Sequence, residues 1–339
     1  MKDNLIYFLQ TSQKELLNEL PTVLTAHNYN VIATDKYIAG IKHTDGQYPL
    51  LVAHLDTINT HHSAQIRQQD MAYNEELNSL CVAPWANDEV MCLGADDRAG
   101  VTIITELLNS KAKFNVLFTT DEEIGCVASE YIVENRELER LADYTSCLIQ
   151  IDRGNHQGSF KECVFYQYDY TQNNDFLNKI TEYFEVANGS FTDIAVLGEY
   201  FNKPSVNVSA GYKNEHTRQE YVDINIMEYV YNALLDMVNH YNTLDTKEWK
   251  HYDIYGDLND DYDEYYDIDY LFDEPDEVDT YLIDLCFSIS NLSYEEIENV
   301  LIEVLNENSY NYVYMKLLDC IQKRMMFETA EEMKDYLMN

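Results

Sequence analysis

The chain has 339 residues, and its 61 acidic side chains against 22 lysines and arginines give a formal net charge of −39. That excess of negative charge repels nucleic-acid phosphates and anionic membrane surfaces, so it argues against both as partners. Hydrophobic residues make up 46% of the chain, which is enough to bury a substantial core.

The cysteines and the apolar segments bear on the cellular compartment. The 7 cysteines are scattered and contain no C-x-x-C pair, a pattern typical of free thiols in a reducing compartment. The first residues carry charges where a signal peptide would be apolar, and no apolar run is long enough to cross a bilayer. We therefore expect a cytoplasmic protein without a membrane partner.

The predicted elements begin with an amphipathic helix around Leu5, Phe8 and Leu16. Strand-like runs follow at 30–41 and 48–57, separated by a turn at Asp45-Gly46, and the stretch to about residue 90 is irregular apart from a short strand, SLCVAP. Helices and strands then alternate. Helices are predicted at 99–110, 127–141, 174–187, 193–202 and 224–241, and strands at 114–120, 146–152 and 205–211.

This alternation predicts an α/β fold, a three-layer α/β/α structure with a mixed, mainly parallel central sheet. Composition changes after about residue 245, and a Tyr/Asp-rich acidic stretch without lysine or arginine begins after Lys250. We predict a folded domain at 1–245, an acidic linker at 246–275 and a small helical module at 276–339.

Acidic side chains follow the predicted strands. Asp121, Glu122 and Glu123 come directly after one apolar strand, and Asp152 ends another. Adjacent like charges repel, so each of these carboxylates must keep its solvation or find a cation nearby. Because functional groups gather at the carboxyl ends of parallel strands, we expect these carboxylates to share one edge of the sheet.

Histidines and further carboxylates accompany them. His54 and Asp56 end a strand, Asp96-Asp97 lie in a glycine-bounded loop before a helix, and His216 follows a late strand. Taken singly, each has a structural explanation, such as an N-cap for the aspartate pair or a buried hydrogen bond for the histidine. Taken together, these nitrogen and oxygen donors suit zinc or a similar divalent ion.

The order H-x-D, G-A-D-D-R-A-G, D-E-E-I-G, I-D and a late histidine resembles the co-catalytic zinc exopeptidases, over about residues 45–240. That clan includes peptidase T, the carboxypeptidase G type and the leucyl and glutamyl aminopeptidases. The resemblance implies two divalent metal ions, zinc in the first place with cobalt or manganese as alternatives. It also implies the metal ligands, which would be His54, Asp96, Glu123, Asp152 and His216, with Asp96 bridging the two ions.

The resemblance also implies roles for residues around the ligands. Glu122 would be the general base that takes a proton from a metal-bridging water, and Asp56 would hold the second nitrogen of His54. Asp193 would contact the substrate amine or support the ligands from behind. The peptide bond between Asp96 and Asp97 is commonly cis in this clan.

The implied function is that of a dinuclear metal-dependent hydrolase, a metallopeptidase acting as an exopeptidase on short peptides. Two alternatives stay open: a deacylase of N-acyl amino acids or related amides with the same metal site, and a non-catalytic acidic binding or decoy protein. The interval between Asp152 and His216 is too short for the lid or dimerisation domain of two-domain clan members. The basic residues near the motifs do not decide which peptide end is cut, and a homo-oligomer stays open.

Overall fold

The computed structural model describes residues 1–61, 65–154, 161–166, 174–189 and 191–241, together with 297, 300, 301, 304, 327 and 329–338. The chain divides into two units, Met1–Gly256 and Asp257–Asn339. The predicted linker and most of the predicted helical module lie outside the described residues, so those domain boundaries stay predictions. In the second unit, the described residues include a helix at Ala330–Met338.

The first unit is built from strands and helices that alternate along much of the chain. Its described strands are β1 (Asn30–Ala33), β2 (Tyr37–Ile41), β3 (Tyr48–His54), β4 (Met71–Asn74), β5 (Ser79–Val82), β6 (Asn115–Thr119), β7 (Thr145–Arg153), β8 (Glu162–Tyr166), β9 (Glu185–Val186), β10 (Ser205–Ser209), β11 (Tyr212–Lys213) and β12 (Tyr221–Asp223). Its described α-helices are α1 (Lys2–Gln10), α2 (Gln13–Ala26), α3 (Ile58–His61), α4 (Ala95–Leu107), α5 (Val127–Glu134), α6 (Glu139–Asp143), α7 (Asn174–Thr181), α8 (Asp193–Phe201) and α9 (Ile224–Tyr241).

Eight strands form the central sheet, in the order β1-β2-β6-β3-β7-β10-β8-β9. The four middle strands, β6, β3, β7 and β10, run parallel to one another, and antiparallel pairs flank them. A second, four-stranded sheet has the order β11-β12-β5-β4. The predicted mixed, mainly parallel sheet is confirmed.

Both faces of the central sheet are covered, which makes three layers. Every residue of β3 is buried, as expected of a parallel strand with helices on both sides. Alternate residues of β3 enter different cores: Leu51 and Ala53 pack with residues of α1, α2, α4 and α9, whereas Leu50 and Val52 pack with residues of α5, α6 and α8. The predicted α/β/α layering is therefore confirmed.

Several element boundaries differ from the prediction. The run at 30–41 is not one strand but an antiparallel pair, because the Thr34 hydroxyl accepts the amides of Lys36 and Tyr37 and turns the chain. The helix predicted at 127–141 is broken into α5 and α6, where Arg136 and Leu138 adopt positive φ. The irregular stretch before residue 90 also contains β4, which pairs with β5.

The N-terminal helix is likewise two helices. Ser12 caps α2, and its side chain and that of Glu15 form a reciprocal capping box. Both helices bury leucines against the sheet, which explains the amphipathic pattern of the sequence. Among the described helices, none combines the length and apolarity that crossing a bilayer requires.

Candidate metal centre

The predicted site residues lie where the middle strands end. His54, the last residue of β3, is in register with Thr119, the last residue of β6, so the chain that follows each strand emerges side by side. On its other edge β3 pairs in parallel with β7, which carries Asp152 near its end. The topology thus brings these strand exits to one edge, as the sequence predicts for parallel strands.

His54 lies at the base of this edge and is fully buried. Its Nε2 is 3.0 Å from Asp96 Oδ1 and 3.3 Å from Asp152 Oδ1. Burial by itself would lower the pKa of His54, but the charge of Asp152 and the hydrogen bonds that the protonated ring donates to neighbouring carboxylates outweigh it, so the pKa is raised well above its ordinary value. An imidazole nitrogen facing two carboxylates is a shared donor set of the kind that holds a divalent cation.

Asp96 lies between two imidazoles. Its Oδ2 is 3.1 Å from Nε2 of His216, while its Oδ1 faces His54. The same nitrogen of His216 is 2.8 Å from Glu123 Oε2. The structure therefore brings all five predicted ligands into one chain of contacts centred on Asp96, with Asp152 at one end and Glu123 at the other.

The backbone around Asp96 and His216 is unusual. The peptide bond between Asp96 and Asp97 is cis, as the resemblance implies, and the regular turns of α4 begin only after these two residues. His216 has a φ of 60°, in the left-handed region that non-glycine residues seldom adopt. Left-handed conformations of non-glycine residues, like that of His216, concentrate at functional sites, where surrounding contacts hold them in place.

Asp97 ties the loop to the sheet, and its carboxylate lies within 4.8 Å of donor atoms of His54 and Asp152. Its carboxylate accepts the amide of His54 at 3.2 Å and the amide of Gly100 at 3.0 Å. Burial, followed by the charge of Asp152, raises its pKa well above the ordinary value. Asp97 therefore supports His54 through the backbone.

Asp56 holds the acidic turn that follows β6. Its two carboxylate oxygens accept the amides of Glu122 and Glu123, each at 3.0 Å, and His61 Nε2 lies 2.8 Å from Oδ2. Nδ1 of His54 is 3.3 Å from Oδ1 of Asp56, but the atoms are not aligned for a hydrogen bond. Asp56 thus orients the two glutamates directly, a role that the sequence did not predict, and it lies within reach of His54.

Glu122 is placed apart from the contact chain. The thiol of Cys126 lies 3.7 Å from its Oε1 and can donate a weak hydrogen bond. Burial raises the pKa of Glu122 well above its ordinary value, and the charge of Asp152 adds to that shift. A carboxyl group with a raised pKa, held next to a donor set, has the character expected of a general base.

Asp152 is fixed from three sides. Gln150 Nε2 and the Thr192 hydroxyl donate to Oδ2 at 2.8 and 3.0 Å, and the Tyr212 hydroxyl donates to Oδ1 at 3.1 Å. Burial raises the pKa of Asp152 to about 7, since the charge of His54 only partly opposes it. Its side chain is 7% exposed, so the hydrogen bonds leave it little freedom to move.

Glu220 is a functional candidate that the sequence analysis missed. It is fully buried and accepts the amides of Gly94 at 2.7 Å and Asp96 at 3.1 Å, so it holds the loop that presents Asp96. Burial raises its pKa to about 8, with the charge of Asp96 next in importance. No motif in the sequence marks this residue.

Asp193 is fully buried, and its carboxylate accepts the hydroxyls of Thr119 and Ser129, each at 2.5 Å. A carboxylate enclosed in this way does not face a substrate amine. Two roles were considered for Asp193, contact with the substrate amine and support of the metal ligands. The arrangement favours support of the ligands, because Asp193 holds Thr119, the last residue of β6, which lies just ahead of the acidic turn.

The donor set fits divalent metal ions. None of its donors has a lysine or arginine within ion-pair distance among the described residues. Oε1 of Glu123 is buried and has no hydrogen-bond partner in the part of the chain that the structure describes, and burial together with the charge of Asp96 raises the pKa of Glu123. Three groups of donors among the described residues, each within 4.8 Å, could hold an ion. Two of them include His54, one with Asp96 and Glu123 and the other with Asp97 and Asp152, and the third is Asp56 with His61 and Asp121.

Two basic residues near the motifs are committed to other partners. Arg153 pairs with Glu162 at 3.0 Å and donates to the carbonyl of Asn188. Arg218 donates to three carbonyl groups of the loop at 86–90. Lys213 also has an interaction partner. The rim of the site is therefore acidic in character.

Comparison with known proteins agrees with this geometry. The profile of peptidase family M28 matches residues 36–261, whereas a search of curated proteins found no match. Among solved structures, aminopeptidase PepT from Bacillus cereus is 12% identical, with 70% of this chain and 96% of that chain covered and a TM-score of 0.52. A tripeptidase from Staphylococcus aureus is also 12% identical, with the same coverage and a TM-score of 0.51.

At 12% identity the two structures show a shared fold. The family profile goes further, because it spans more than half of the chain and includes every predicted ligand. The class of protein is therefore that of a metallopeptidase. More specifically, the chain belongs to peptidase family M28. The resemblance to the co-catalytic zinc exopeptidases is confirmed, and the roles of single residues stay predictions.

Proposed function

We propose that the protein is an aminopeptidase that cleaves short peptides with the help of two divalent metal ions, zinc in the first place. The observation that carries this proposal is the position of Asp96, with one oxygen towards His54 and the other towards His216. Asp152 completes one set of donors and Glu123 the other. When bound, two such ions would polarise the scissile carbonyl and lower the pKa of the attacking water.

Glu122 is the proposed general base. Asp56 fixes the backbone at Glu122, so the carboxylate stays beside the donor set without being drawn into it. Its raised pKa makes the carboxylate a stronger proton acceptor, which suits it to take a proton from the attacking water and return that proton to the leaving amine. Adjacent Glu123, whose Oε2 faces His216, would bind metal instead.

The charge of the site supports cleavage at the amino end. A carboxypeptidase needs a cation that binds the terminal carboxylate of the peptide, but Arg153 and Arg218 are engaged elsewhere and Arg98 is only 2% exposed. The acidic rim instead attracts an α-ammonium group. The cytoplasmic location remains a prediction from the sequence, and a homo-oligomer stays open.

The first experiment replaces Glu122 by Gln, which keeps the size of the side chain but removes its ability to accept the proton. We expect kcat to fall by about 10²-fold or more, since that is the usual contribution of a general base. Metal content, measured by mass spectrometry, should remain at about two ions per chain. Glu130→Gln, at an exposed position on α5, is the matched control and should keep wild-type turnover. Wild-type rates in Glu122→Gln on every cleaved peptide would contradict the assignment.

The second experiment tests the peptide end. The metal-loaded protein is incubated with a set of short peptides, each in a free form, an N-acetylated form and a C-amidated form. An aminopeptidase should release the first residue from the free and amidated peptides and leave the acetylated ones intact. Cleavage of the acetylated forms alone would identify a deacylase, and absence of all cleavage with both ions bound would favour a binding protein.

A further inference from the structure

His61 lies outside the proposed ligand set, yet it contacts the residue that holds the acidic turn. Its Nε2 atom is 2.8 Å from Oδ2 of Asp56, and its side chain is 21% exposed whereas that of Asp56 is fully buried. His61 is the last residue of α3, so it follows Asp56 closely along the chain. A partly exposed histidine bound to a buried carboxylate of the site is a feature that the proposed reaction has not yet used.

The proton of this contact lies on His61. Burial alone would raise the pKa of Asp56, but its neighbours His54 and His61 hold that pKa below its ordinary value, so Asp56 is an ionised carboxylate. An ionised carboxylate only accepts hydrogen bonds. The hydrogen bond to Asp56 raises the pKa of His61 and outweighs the effect of partial burial, which favours the charged imidazole. Nε2 of His61 therefore donates a charge-assisted hydrogen bond, which is stronger than a neutral one.

Asp56 lies between two imidazoles but bonds to one of them. Nδ1 of His54 is 3.3 Å from Oδ1 of Asp56, yet it has no hydrogen-bond partner among the described residues. His61 engages the other oxygen, Oδ2, which also accepts the amide of Glu123. The contact with His61 thus keeps the carboxylate turned towards the acidic turn, where Oδ1 accepts the amide of Glu122.

The short helix that carries His61 is itself anchored. Asn59, which is 3% exposed, donates to the carbonyl of Cys92 at 2.8 Å and accepts the amide of Met91 at 2.9 Å. These two bonds join α3 to the chain that leads into the loop of Asp96. A side chain on an element held in this way can fix the orientation of the group that it contacts.

The same contact belongs to the third group of donors that could hold an ion, which adds Asp121 to Asp56 and His61. Protein groups already balance the charges of this group, because His61 faces Asp56 and Lys36 lies 3.5 Å from Asp121. Gln13 also donates to Asp121, at 3.1 Å. The contact between His61 and Asp56 is therefore a hydrogen bond that orients a carboxylate rather than part of a further cation site.

We propose that His61 is a positioning residue for the general base and acts on it through Asp56. His61 holds Oδ2 of Asp56, and Asp56 in turn fixes the backbone of Glu122 and Glu123. Without His61, the carboxylate of Asp56 is free to turn towards Nδ1 of His54, and the acidic turn loses a fixed acceptor. This inference rests on the proposed function, because it assigns His61 a part in that reaction.

One test needs no enzymatic activity. Hydrogen–deuterium exchange, followed by mass spectrometry on the metal-free protein, compares wild type with His61→Ala and His61→Gln. In His61→Ala the amides of the acidic turn should exchange about 10- to 100-fold faster, since a hydrogen bond to a charged group contributes a factor of about that size. His61→Gln keeps a side-chain donor and should stay close to wild type. Peptides from α9 should exchange as in wild type, because the effect is local.

The other test measures turnover of short peptides at saturating zinc. In His61→Ala kcat should fall by about 10- to 100-fold, the usual effect of losing a residue that orients a metal site. Metal content should match that of wild type and KM should change little, because His61 touches none of the proposed ligands. His61→Gln should recover most of the rate. His27→Ala, at the C-terminal end of α2, is the matched control and should keep wild-type exchange and kcat.

Wild-type exchange over the acidic turn in His61→Ala would overturn the proposal, whatever the activity. Faster exchange in α9 as well would show that His61 only stabilises the fold, and faster exchange of the turn at a wild-type kcat would separate the contact from catalysis. Either result rejects the positioning role. If wild type cleaves no peptide, the proposed function fails, and the exchange measurement still decides whether His61 holds the acidic turn.

Discussion

At the scale of single residues, Glu220 holds the loop that presents Asp96 by accepting two backbone amides. Its carboxylate accepts the N–H groups of Gly94 and Asp96, and this fixes the loop that directs Asp96 between two histidines. Residues that orient metal ligands commonly contribute 10- to 100-fold to metal affinity. Glu220 therefore supports the proposed centre through the backbone, without being a ligand itself.

We predict that Glu220→Ala weakens zinc binding by about 10- to 100-fold. It should also lower the free energy of unfolding by about 2 kcal/mol, because two buried amides lose their acceptor. Glu220→Gln keeps one carbonyl oxygen and should lie between Glu220→Ala and wild type. Competition with a chromogenic chelator measures the affinity, and urea unfolding measures the stability. Glu199→Ala, at an exposed position on α8, is the control, and a wild-type zinc affinity in Glu220→Ala would refute the positioning role.

The sequence identified the residues that the strands bring together, and the reason is topological. His54, Asp152 and the acidic turn each follow an apolar strand, so a parallel sheet is enough to place them at one edge. Glu220 has no such marker. It lies more than 120 residues from both amides it accepts, a distance along the chain over which local patterns carry no information.

At the scale of elements, the packing of α4 against β7 decides how Asp97 is held. Gly100 lies where the helix approaches the strand, and a Cβ there would come within 2.1 Å of the Ile151 carbonyl oxygen and 2.4 Å of Asp97 Oδ1. The first of these atoms belongs to the backbone of a central strand, which cannot move aside. A glycine is therefore required, and the reason is the close approach of two elements.

Gly100→Ala is accordingly predicted to be strongly destabilising, by about 3 kcal/mol or more, since overpacking a core normally costs about 1–3 kcal/mol even where side chains can adjust. Chemical denaturation followed by circular dichroism measures this loss. Gly46→Ala is the matched control, because the nearest atom to its new Cβ would be 3.5 Å away. A Gly100→Ala protein as stable as the control would mean that the helix and the strand are farther apart than described here.

The elements that the sequence predicted best are the long, buried ones. The middle strands and α9 carry continuous or periodic apolar patterns, and the structure has them close to the predicted bounds. The sequence did not predict the short elements at the periphery, among them β9 and β11, which have two residues each. Strands this short have no periodicity of their own, and they form because a neighbouring strand offers backbone partners.

At the scale of the whole molecule, the acidic turn shows how a strongly negative chain folds around a charged centre. Asp121 is satisfied by protein groups, with Lys36 at 3.5 Å and Gln13 at 3.1 Å. Glu122 and Glu123 instead point towards the edge where the other donors meet. A chain of net charge −39 has few basic side chains that could neutralise these carboxylates, so we expect bound cations to balance their charge.

Metal removal should therefore destabilise the first unit. We predict that exhaustive dialysis against a chelator lowers the melting temperature and that added zinc restores it, by about 2.7 kcal/mol at a free zinc concentration 100 times the dissociation constant. Asp96→Asn should lose most of this response, because Asp96 contacts both histidines. Asp236→Asn, at an exposed partner of Lys179, should keep the response. Differential scanning calorimetry measures all three proteins.

The pH dependence of this stabilisation has a defined sign. Burial raises the pKa of Asp152 to about 7, so the folded, metal-free protein favours the protonated carboxyl. Protonated Asp152 therefore stabilises the metal-free fold at low pH, and this contribution to the free energy of unfolding is lost as the pH rises from the ordinary pKa of an aspartate through about 7. Zinc needs the ionised carboxylate and neutral imidazoles, so zinc binding strengthens over the same range. The gap in melting temperature between zinc-loaded and metal-free protein should thus widen from pH 5.5 to pH 7.5. A gap that is constant or narrows over that interval would show that Asp152 and the two histidines do not bind the metal.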